Sequence, residues 1–296
     1  MDKRILAIVV TFNRLDDLTT CIQSLRQQSF QYFDILVVNN GSTDGTMAWL
    51  ASQAGIITIN QQNVGGAGGF YAGMAYMMEH PQYEWLIMMD DDGITDREEI
   101  KNLLDAYDDV KKQLGKESIL NALVVNKDKR DEISFRWRHG SGVSNKVVEL
   151  QKTKYIDQIH HFNGTLIPRF IIEKIGLIKK EMFIWGDEEE YMARAKHAGY
   201  GTYTVTNAIH YHPKEKGQKG NIIPFVSKYT LLVKPPKMSH YFYRNKGFVY
   251  STYPEKRPDR FKYIMANVVY FITHLKFGEL LKFIKYFRRG AKNCFE

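Results

Sequence analysis

Short aliphatic runs that alternate with helix-like segments are the feature that most restricts the fold of this 296-residue chain. Continuous apolar runs are typical of strands buried on both faces, as in a parallel sheet that helices cover. Strands are expected at residues 4–11, 33–38, 56–60, 85–89 and 119–125, with helices at 15–27, 44–54, 68–79 and 96–114. This order predicts an α/β protein with a mainly parallel sheet, and ligands are expected at the carboxyl ends of the strands.

Three consecutive aspartates, Asp90, Asp91 and Asp92, directly follow the fourth expected strand. Carboxylates placed so closely repel one another unless a cation joins them. Oxygen ligands suit Mg²⁺ or Mn²⁺, which usually completes its shell with substrate phosphates and water. The alternative interpretation is a solvated acidic loop that caps the next helix.

Polar and glycine-rich segments follow the first three strands. The residues of interest are Thr11, Asn13 and Arg14 after the first, Asn40 after the second, and Asn63, Gly65, Gly66 and Gly69 after the third. Glycines before a helix let the backbone approach a ligand and turn amide groups toward it. A tight glycine turn without a ligand fits this last segment equally well.

A run of four acids follows Trp185 and Gly186 and opens a further expected helix. Acids at a helix N-terminus are stabilised by the helix dipole, and we assign two of the four to this capping role. The other two are candidates for a general base, because a carboxylate at the mouth of a cleft can take a proton from a substrate. The run consists of Asp187, Glu188, Glu189 and Glu190.

Two histidines, His210 and His212, lie at the end of a later extended segment. A histidine at such a position is more often structural than a ligand. An imidazole is nevertheless compatible with Mn²⁺ that carboxylates already hold, so either residue is a candidate.

The net charge of +8 is concentrated near the C-terminus. Residues 237–296 contain 13 Lys and Arg against four Asp and Glu, whereas the preceding residues are close to neutral. A neutral body with a basic aromatic tail favours an anionic membrane surface or partner over nucleic acid. The tail also shows apolar residues at helical spacing, which could pack internally, join a homo-oligomer or contact the membrane.

The compartment is suggested by the cysteines and by the absence of long apolar segments. Cys21 and Cys294 do not suggest a disulfide framework, so a reducing, cytoplasmic setting is expected. No signal peptide and no run of about 20 apolar residues is found, so no membrane span is expected.

Five segments together resemble the family 2 inverting glycosyltransferases with the GT-A fold. They are residues 10–14, 38–46, 63–70, 90–92 and 185–191, and the resemblance covers roughly residues 4–215. It implies a GT-A, Rossmann-like catalytic domain at residues 1–236. A basic aromatic helical region would follow at residues 237–296.

The resemblance also implies roles for residues on the donor side. The donor is a nucleotide-activated sugar, and the residues expected to contact it are Thr11, Asn13, Arg14, Asn40, Asn63, Gly65, Gly66, Gly69, Asp90, Asp91 and Trp185. Asp92 binds the Mn²⁺ or Mg²⁺ ion that bridges the diphosphate. Asp90 holds the ribose or a metal-bound water, and Asp91 contacts the donor sugar.

The base and the metal-binding histidine follow from the same resemblance. The family's base motif reads acid-Asp-x-acid, and its alignment here puts Glu188, one methylene longer than Asp, at the base position, with Asp187 as second choice. The family's histidine lies 24 residues further on, which selects His212 rather than His210.

Donor and acceptor are suggested by the glycine-rich segment and by residues 185–188, which are similar to those of galactofuranosyltransferases and some rhamnosyltransferases. UDP-galactofuranose is the first choice and dTDP-rhamnose the second. The acceptor would be a lipid-linked saccharide at the inner face of the membrane, in bacterial surface polysaccharide synthesis. A non-catalytic nucleotide-sugar binder that acts as an assembly partner is the alternative, although the intact acids disfavour it.

Overall fold

A large mixed β-sheet forms the centre of the first of two compact units in this computed structural model. The structure describes residues 4–135, 137, 143–160, 162–214, 218–224 and 230–295. The first unit comprises Met1–Lys180 and Ala198–Glu215, and the second comprises Glu181–His197 and Lys216–Glu296. The functional division after residue 236 stays a prediction.

The first unit contains nine strands and six helices among the described residues. The strands are β1 Ile5–Thr11, β2 Phe33–Asn39, β3 Ile56–Asn60, β4 Trp85–Asp90, β5 Ile94–Thr95, β6 Ser118–Asn126, β7 Tyr155–Ile156, β8 Asn163–Pro168 and β9 Gly201–His212. The helices are α1 Leu15–Arg26, α2 Thr46–Ala51, α3 Gly65–Glu79, α4 Glu99–Leu114, α5 Val147–Leu150 and α6 Arg169–Ile175.

Parallel pairing dominates the part of the sheet that carries the first motifs. The strand order is β3-β2-β1-β4-β8-β6-β9-β5, and β3, β2, β1 and β4 run parallel to one another. The residues of β1, and those of β4 up to Met89, are buried, as the aliphatic runs require, whereas the edge strand β3 is only partly buried. The predicted α/β class with a mainly parallel sheet is confirmed.

One strand, β8, differs from the sequence-based expectation. It lies between β4 and β6 and is antiparallel to both. It is missing from the five expected strands because Asn163, Gly164 and Thr165 interrupt its apolar pattern. Its insertion separates β6 from β4, so β6 pairs in parallel with β9 instead.

The glycine-rich segment begins α3, three residues earlier than expected. A Cβ atom on Gly69 would lie 2.5 Å from Val10 Cγ1, and one on Gly73 would lie 2.7 Å from Ile8 Cδ1. The glycines therefore let this helix pack directly on β1, at a distance that no larger residue permits.

The second unit is mostly helical, as the predicted basic C-terminal extension requires. Its elements are α7 Asp187–His197, β10 Gln218–Asn221, β11 Thr230–Val233, α8 Ser239–Thr252, α9 Arg257–Thr273 and α10 Phe277–Ala291. Two 3₁₀ turns, Lys180–Met182 and Pro254–Lys256, complete the described chain. Aromatic side chains of α8, α9 and α10, including Tyr243, Phe271 and Phe283, form its core. Among the described residues, no helix is both long and apolar enough to cross a membrane.

Helices α8 and α10 meet backbone to backbone at two glycines. A Cβ atom on Gly247 would lie 2.1 Å from the Phe287 carbonyl oxygen, and one on Gly290 would lie 1.7 Å from the Arg244 carbonyl oxygen. Since neither backbone can yield without moving its whole helix, this crossing tolerates only glycine.

We expect Gly247→Ala to lower the free energy of unfolding of the second unit by about 1–3 kcal/mol, despite the higher helix propensity of alanine. The matched control is Gly278→Ala in α10, where no atom lies within 4 Å of an added Cβ. Urea unfolding followed by circular dichroism measures both. Stabilisation by both substitutions to the same extent would contradict the proposed crossing.

Candidate active site

The three aspartates lie at the carboxyl end of β4, beside the end of β1. Asp90 is the last residue of β4 and pairs in register with Val10. Asp91 is buried, and its Oδ2 accepts a 2.8 Å hydrogen bond from Thr11 Oγ1. The parallel pairing therefore places the first strand-end motif directly against the acidic one, as expected from the sheet.

Arg14 is shared by two of the aspartates. Its Nη1 lies 3.2 Å from Asp91 Oδ1 and 2.8 Å from Asp92 Oδ2. Half of its side chain is exposed to solvent. A cationic group thus offsets the repulsion within the acidic turn while remaining accessible to an anionic ligand.

His212, at the end of β9, contacts the other oxygen of Asp92. Its Nε2 lies 3.0 Å from Asp92 Oδ1, and its Nδ1 lies 2.7 Å from the Pro213 carbonyl oxygen. Because a carbonyl only accepts, Nδ1 must donate there. Nε2 then donates to the Asp92 carboxylate, so both ring nitrogens carry a proton.

The three carboxylates differ strongly in their acidity. Burial, together with the charges of Asp92 and Asp91, raises the pKa of Asp90 to about 7. Burial also raises the pKa of Asp91 to about 6, against the hydrogen bond from Thr11. Burial has the same effect on Asp92, but the hydrogen bond and charge of His212, with Arg14, outweigh it and bring its pKa to about 2. Asp92 is therefore the strongest acid of the turn.

The geometry of Asp92 and His212 fits a divalent cation. With Nδ1 tied to a carbonyl, loss of the Nε2 proton would leave a lone pair 3.0 Å from a carboxylate oxygen, and the two atoms could then ligate one cation. Among the described residues no group of three or more His, Cys, Asp or Glu side chains is placed to hold a metal. Two protein ligands suffice for Mg²⁺ or Mn²⁺ when phosphate oxygens and water supply the others.

His210, the alternative histidine, is placed differently. It is fully buried, and its Nδ1 lies 3.1 Å from Glu99 Oε1, so it belongs to a pair beneath the turn. A Cβ atom on Gly93 would lie 2.3 Å from its Nε2. The structure thus brings His212, and not His210, into contact with the Asp92 carboxylate.

Asn13 connects the end of β1 to the loop after β2. Its backbone N–H donates to Ser42 Oγ at 3.0 Å, and its Oδ1 accepts from the Thr43 N–H at 2.7 Å. Its φ of 54° is in the left-handed region, which asparagine tolerates better than most residues. This bonding fixes the two loops against each other.

Asn40 is buried and fully engaged within the protein. Its Nδ2 donates to the Gly65 carbonyl at 3.0 Å, and its Oδ1 accepts from Gln61 Nε2 and the Val64 N–H at 2.9 and 3.2 Å. In this structure Asn40 therefore organises the glycine-rich loop. Its predicted contact with the nucleotide stays a prediction.

A shallow depression of about 610 Å³ lies over these loops, lined by Gly41, Ser42 and residues 60–63. Asn63 lies on its rim and turns the chain into α3, since its Oδ1 accepts from the Gly65 N–H at 2.9 Å. A Cβ atom on Gly66 would meet no atom within 4 Å. Gly69 instead packs on β1, and its assignment to donor binding stays a prediction.

The second unit holds the run of four acids at residues 187–190. Two of these acids have ionic partners that account for their presence. Glu190 is fully buried and bonded to Arg194 at 3.1 and 2.5 Å and to the hydroxyl of Tyr253. Glu189 is paired with Lys246 and Lys256. These two carboxylates tie α7 to α8 and its following turn, so their role is structural.

The remaining two acids, Asp187 and Glu188, open α7. Glu188 is half-buried, and its Oε2 accepts a 2.9 Å hydrogen bond from the Gly186 N–H. Asp187 is more deeply buried, at 5% exposure. Glu188 is therefore the more accessible carboxylate and is held in a defined orientation.

The segment before these acids is strained and braced from α8, which sequence reasoning did not reveal. Phe183 and Trp185 have φ values of 66° and 60°, a costly conformation for aromatic residues. The Nδ2 of buried Asn245 donates to the carbonyls of Met182, Ile184 and Trp185 at 2.9–3.0 Å.

Arg244 adds to this brace. Its Nη2 donates to the Glu181 and Met182 carbonyls at 2.8 and 3.1 Å. The only signal in the sequence is the Arg-Asn pair within an aromatic helix, since strain and carbonyl positions are not visible there.

Trp185 also lies under a cation, with Lys234 Nζ 4.5 Å from its ring centre.

Comparisons with known proteins agree with this fold. Residues 6–176 match the family model described as Glycosyl transferase family 2. The chain is 27% identical over 260 residues to the galactofuranosyltransferase GlfT1 of Mycobacterium tuberculosis, covering 85% of this chain and 83% of the relative. It is 30% identical over 128 residues to an undecaprenyl-phosphate mannosyltransferase of Micrococcus luteus, covering 42% of this chain and 52% of the relative. A crystal structure of GalNAc-T7 with UDP, GalNAc and Mn²⁺ superposes with a TM-score of 0.56 at 16% identity, covering 91% of this chain and 58% of that one.

The acidity of Asp90 predicts how stability depends on pH when divalent cations are removed with EDTA. Its folded pKa of about 7 exceeds the value of about 3.9 in an unfolded chain. The folded state therefore binds more protons between these values, and its stability falls as pH rises through them. Asp90→Asn should leave stability unchanged near pH 4 and raise it by about 1–3 kcal/mol above pH 7.

Thermal unfolding at a series of pH values checks this prediction. Asp105→Asn is the matched control, because Asp105 is an exposed aspartate of the same unit. An equal gain for both variants, or a gain for Asp90→Asn that does not vary with pH, would contradict the assignment.

Proposed function

The chain belongs to glycosyl transferase family 2, and we propose that it transfers galactofuranose from UDP-galactofuranose to a hydroxyl of a lipid-linked saccharide, with inversion at the anomeric carbon. The observation that carries the proposal is the Asp92 carboxylate held between Arg14 and His212 at converging strand ends. This arrangement suits the charge of a nucleoside diphosphate.

The choice of sugar is supported by the similarity to the galactofuranosyltransferase GlfT1 along most of both chains. The glycine-rich segment 63–70 and residues 185–188 support the same choice. A rhamnosyl donor linked to dTDP is the second candidate from the sequence, and the donor test below includes it.

The diphosphate would be bound on the side of the acidic turn. Asp92 and His212 would hold a Mn²⁺ or Mg²⁺ ion, with Asp90 near the ribose or a bound water and Asp91 near the sugar. Such an ion would neutralise the charge that develops on the leaving diphosphate. The GalNAc-T7 structure, which includes UDP and Mn²⁺, gives this assignment further support.

Arg14 would contribute in its own right. Its guanidinium is half exposed and linked to two carboxylates, so it can meet the diphosphate without leaving the turn. Thr11 keeps Asp91 oriented from beneath. Asn63, in the lining of the depression, and Asn13, bonded to Ser42 of that lining, would border the nucleoside.

The chemical step would be a single displacement. Glu188 takes the proton of the acceptor hydroxyl while that oxygen forms a bond to the anomeric carbon. The bond from this carbon to the diphosphate oxygen breaks, and UDP leaves with the electron pair on the opposite face. No covalent sugar intermediate forms, so Glu188 is a base and not a nucleophile.

The acceptor and the cellular setting follow from the relatives and from the charge of the chain. One relative is named for undecaprenyl phosphate, which supports an acceptor on a polyprenyl carrier. The basic helices of residues 237–296 would then bring the protein to the inner face of the membrane during surface polysaccharide synthesis.

The donor test incubates the purified protein with Mn²⁺ and a panel of nucleotide sugars, and measures nucleotide release with and without a saccharide acceptor. UDP-galactofuranose should give the fastest release. Release from dTDP-rhamnose alone would replace galactofuranose by rhamnose. Nucleotide binding without release from any donor or acceptor would contradict the proposed transfer.

The base assignment is tested by Glu188→Gln. We expect this variant to bind UDP like the wild type and to lose transfer by about 10²–10⁴-fold, the usual contribution of a positioned base. Glu173→Gln, an exposed change in α6, is the matched control and should keep full activity. Near-normal transfer by Glu188→Gln would move the base to Asp187.

A further inference from the structure

The turn between α9 and α10 has a leucine where a glycine is normally found. The Lys276 N–H donates to the Phe271 carbonyl at 2.8 Å, and the Leu275 N–H donates to the Ile272 carbonyl at 3.0 Å. These two bonds define a Schellman motif, in which the residue at the position of Leu275 is left-handed and usually glycine. Leu275 has a φ of 54°, so its backbone is strained.

The side chain of Leu275 gains no compensating burial. It is 77% exposed, so the position costs backbone strain and presents a large apolar group to water. A glycine or an asparagine would relieve both costs. A residue that is unfavourable in both respects is typical of a surface with a binding role.

Leu275 belongs to a wider exposed apolar surface, which we call the corner and define as residues 272–281. Its other large apolar members are Ile272, Phe277 and Leu281, which are 48%, 55% and 69% exposed. Phe277 and Leu281 are one turn apart and share one face of α10. The opposite face of this helix carries Phe283 and Phe287, which are buried in the core of the unit.

Basic residues continue the exposed face of α10. Lys285 and Arg288 follow Leu281 at helical spacing and are exposed, as is Lys276 within the corner. Both acids of residues 257–295, Asp259 and Glu279, are at least partly buried. The surface therefore combines an apolar tip with a basic flank and suits an anionic partner.

A pocket of about 330 Å³ opens beside the tip. Leu275, Lys276 and Phe277 form part of its wall, together with Lys234, Tyr243 and Phe271. Glu279 also lines it, but its carboxylate accepts from Ser239 Oγ and Tyr243 OH and pairs with Lys282. The pocket is thus mainly apolar, with lysine side chains among its lining residues.

We infer that the corner docks the protein on an anionic phospholipid bilayer. Leu275, Phe277 and Leu281 enter the acyl region, and Lys276, Lys285 and Arg288 meet the headgroups. This inference deepens the proposed membrane setting by naming the surface, and it rests on that part of the proposed function. It requires no particular donor sugar.

A second copy of the chain is a less suitable occupant. In a symmetric dimer the same patch meets itself, so the basic side chains of Lys276, Lys285 and Arg288 from both copies would be brought into one interface. Like charges at close range disfavour that contact. An anionic bilayer satisfies both the apolar tip and the basic flank.

The test is flotation of the full chain with vesicles of phosphatidylcholine, with and without phosphatidylglycerol. The wild type should float with the anionic vesicles, and rising salt should weaken the binding. Leu275→Asn should lower the partition coefficient about tenfold, since one buried leucine is lost. Its melting temperature should stay equal or rise, because asparagine tolerates the left-handed conformation.

The matched control is the double variant Met47→Ser with Val148→Ser, which removes two exposed apolar side chains of the first unit. It should float like the wild type. Unchanged flotation of Leu275→Asn and of Phe277→Ser, or an equal loss in the control, would overturn the inference.

Two further measurements separate the possible causes of failure. Sedimentation velocity identifies self-association, and a wild-type dimer that Phe277→Ser dissociates, without vesicle binding, would assign the corner to a second copy and overturn the inference. UDP release with a water-soluble acceptor should be the same in all variants. If release persists while flotation fails, the docking surface is wrong and the proposed transfer stands.

Discussion

The Asp92 carboxylate, held by a guanidinium on one oxygen and an imidazole on the other, is the interaction on which the proposed chemistry depends. Arg14 approaches one oxygen at 2.8 Å and His212 the other at 3.0 Å. These contacts keep Asp92 ionised while burial raises the pKa of its two neighbours. One aspartate of the three thereby stays ionised over the widest range of pH, and it is the one to which the proposal assigns the cation.

The sheet makes this arrangement possible. Asp92 follows β4, Arg14 follows β1 and His212 ends β9, so three residues distant in sequence meet only because their strands end at the same edge. The antiparallel strand β8 and the buried Glu99–His210 pair lie beneath, and Gly93 and Gly164 provide the space for that pair. Small residues in the sheet and in α3 are therefore as necessary to the site as its charged residues.

Much of this could be predicted from the sequence, because aliphatic runs and strand-end motifs are local patterns. The parallel strands β1 to β4 and the acidic turn were accessible in this way, whereas the choice of His212 over His210 for the position beside Asp92 came from the family resemblance. Asn40 and Gly69 show the limit of such reasoning, since their hydrogen bonds and packing involve residues that only the fold brings close. The brace from Asn245 to a strained segment, and the strain at Leu275, depend on backbone angles that no residue pattern displays.

The central claim is that Asp92 and His212 together create a cation site that serves a nucleoside diphosphate. Isothermal titration calorimetry of UDP, with Mn²⁺ and with EDTA, tests it most directly in the wild type, Asp92→Asn, His212→Gln and the control His80→Gln. Wild type and control should bind UDP more tightly with Mn²⁺. The two site variants should lose that gain and still bind UDP with EDTA. A full Mn²⁺-dependent gain in Asp92→Asn or His212→Gln would contradict the account.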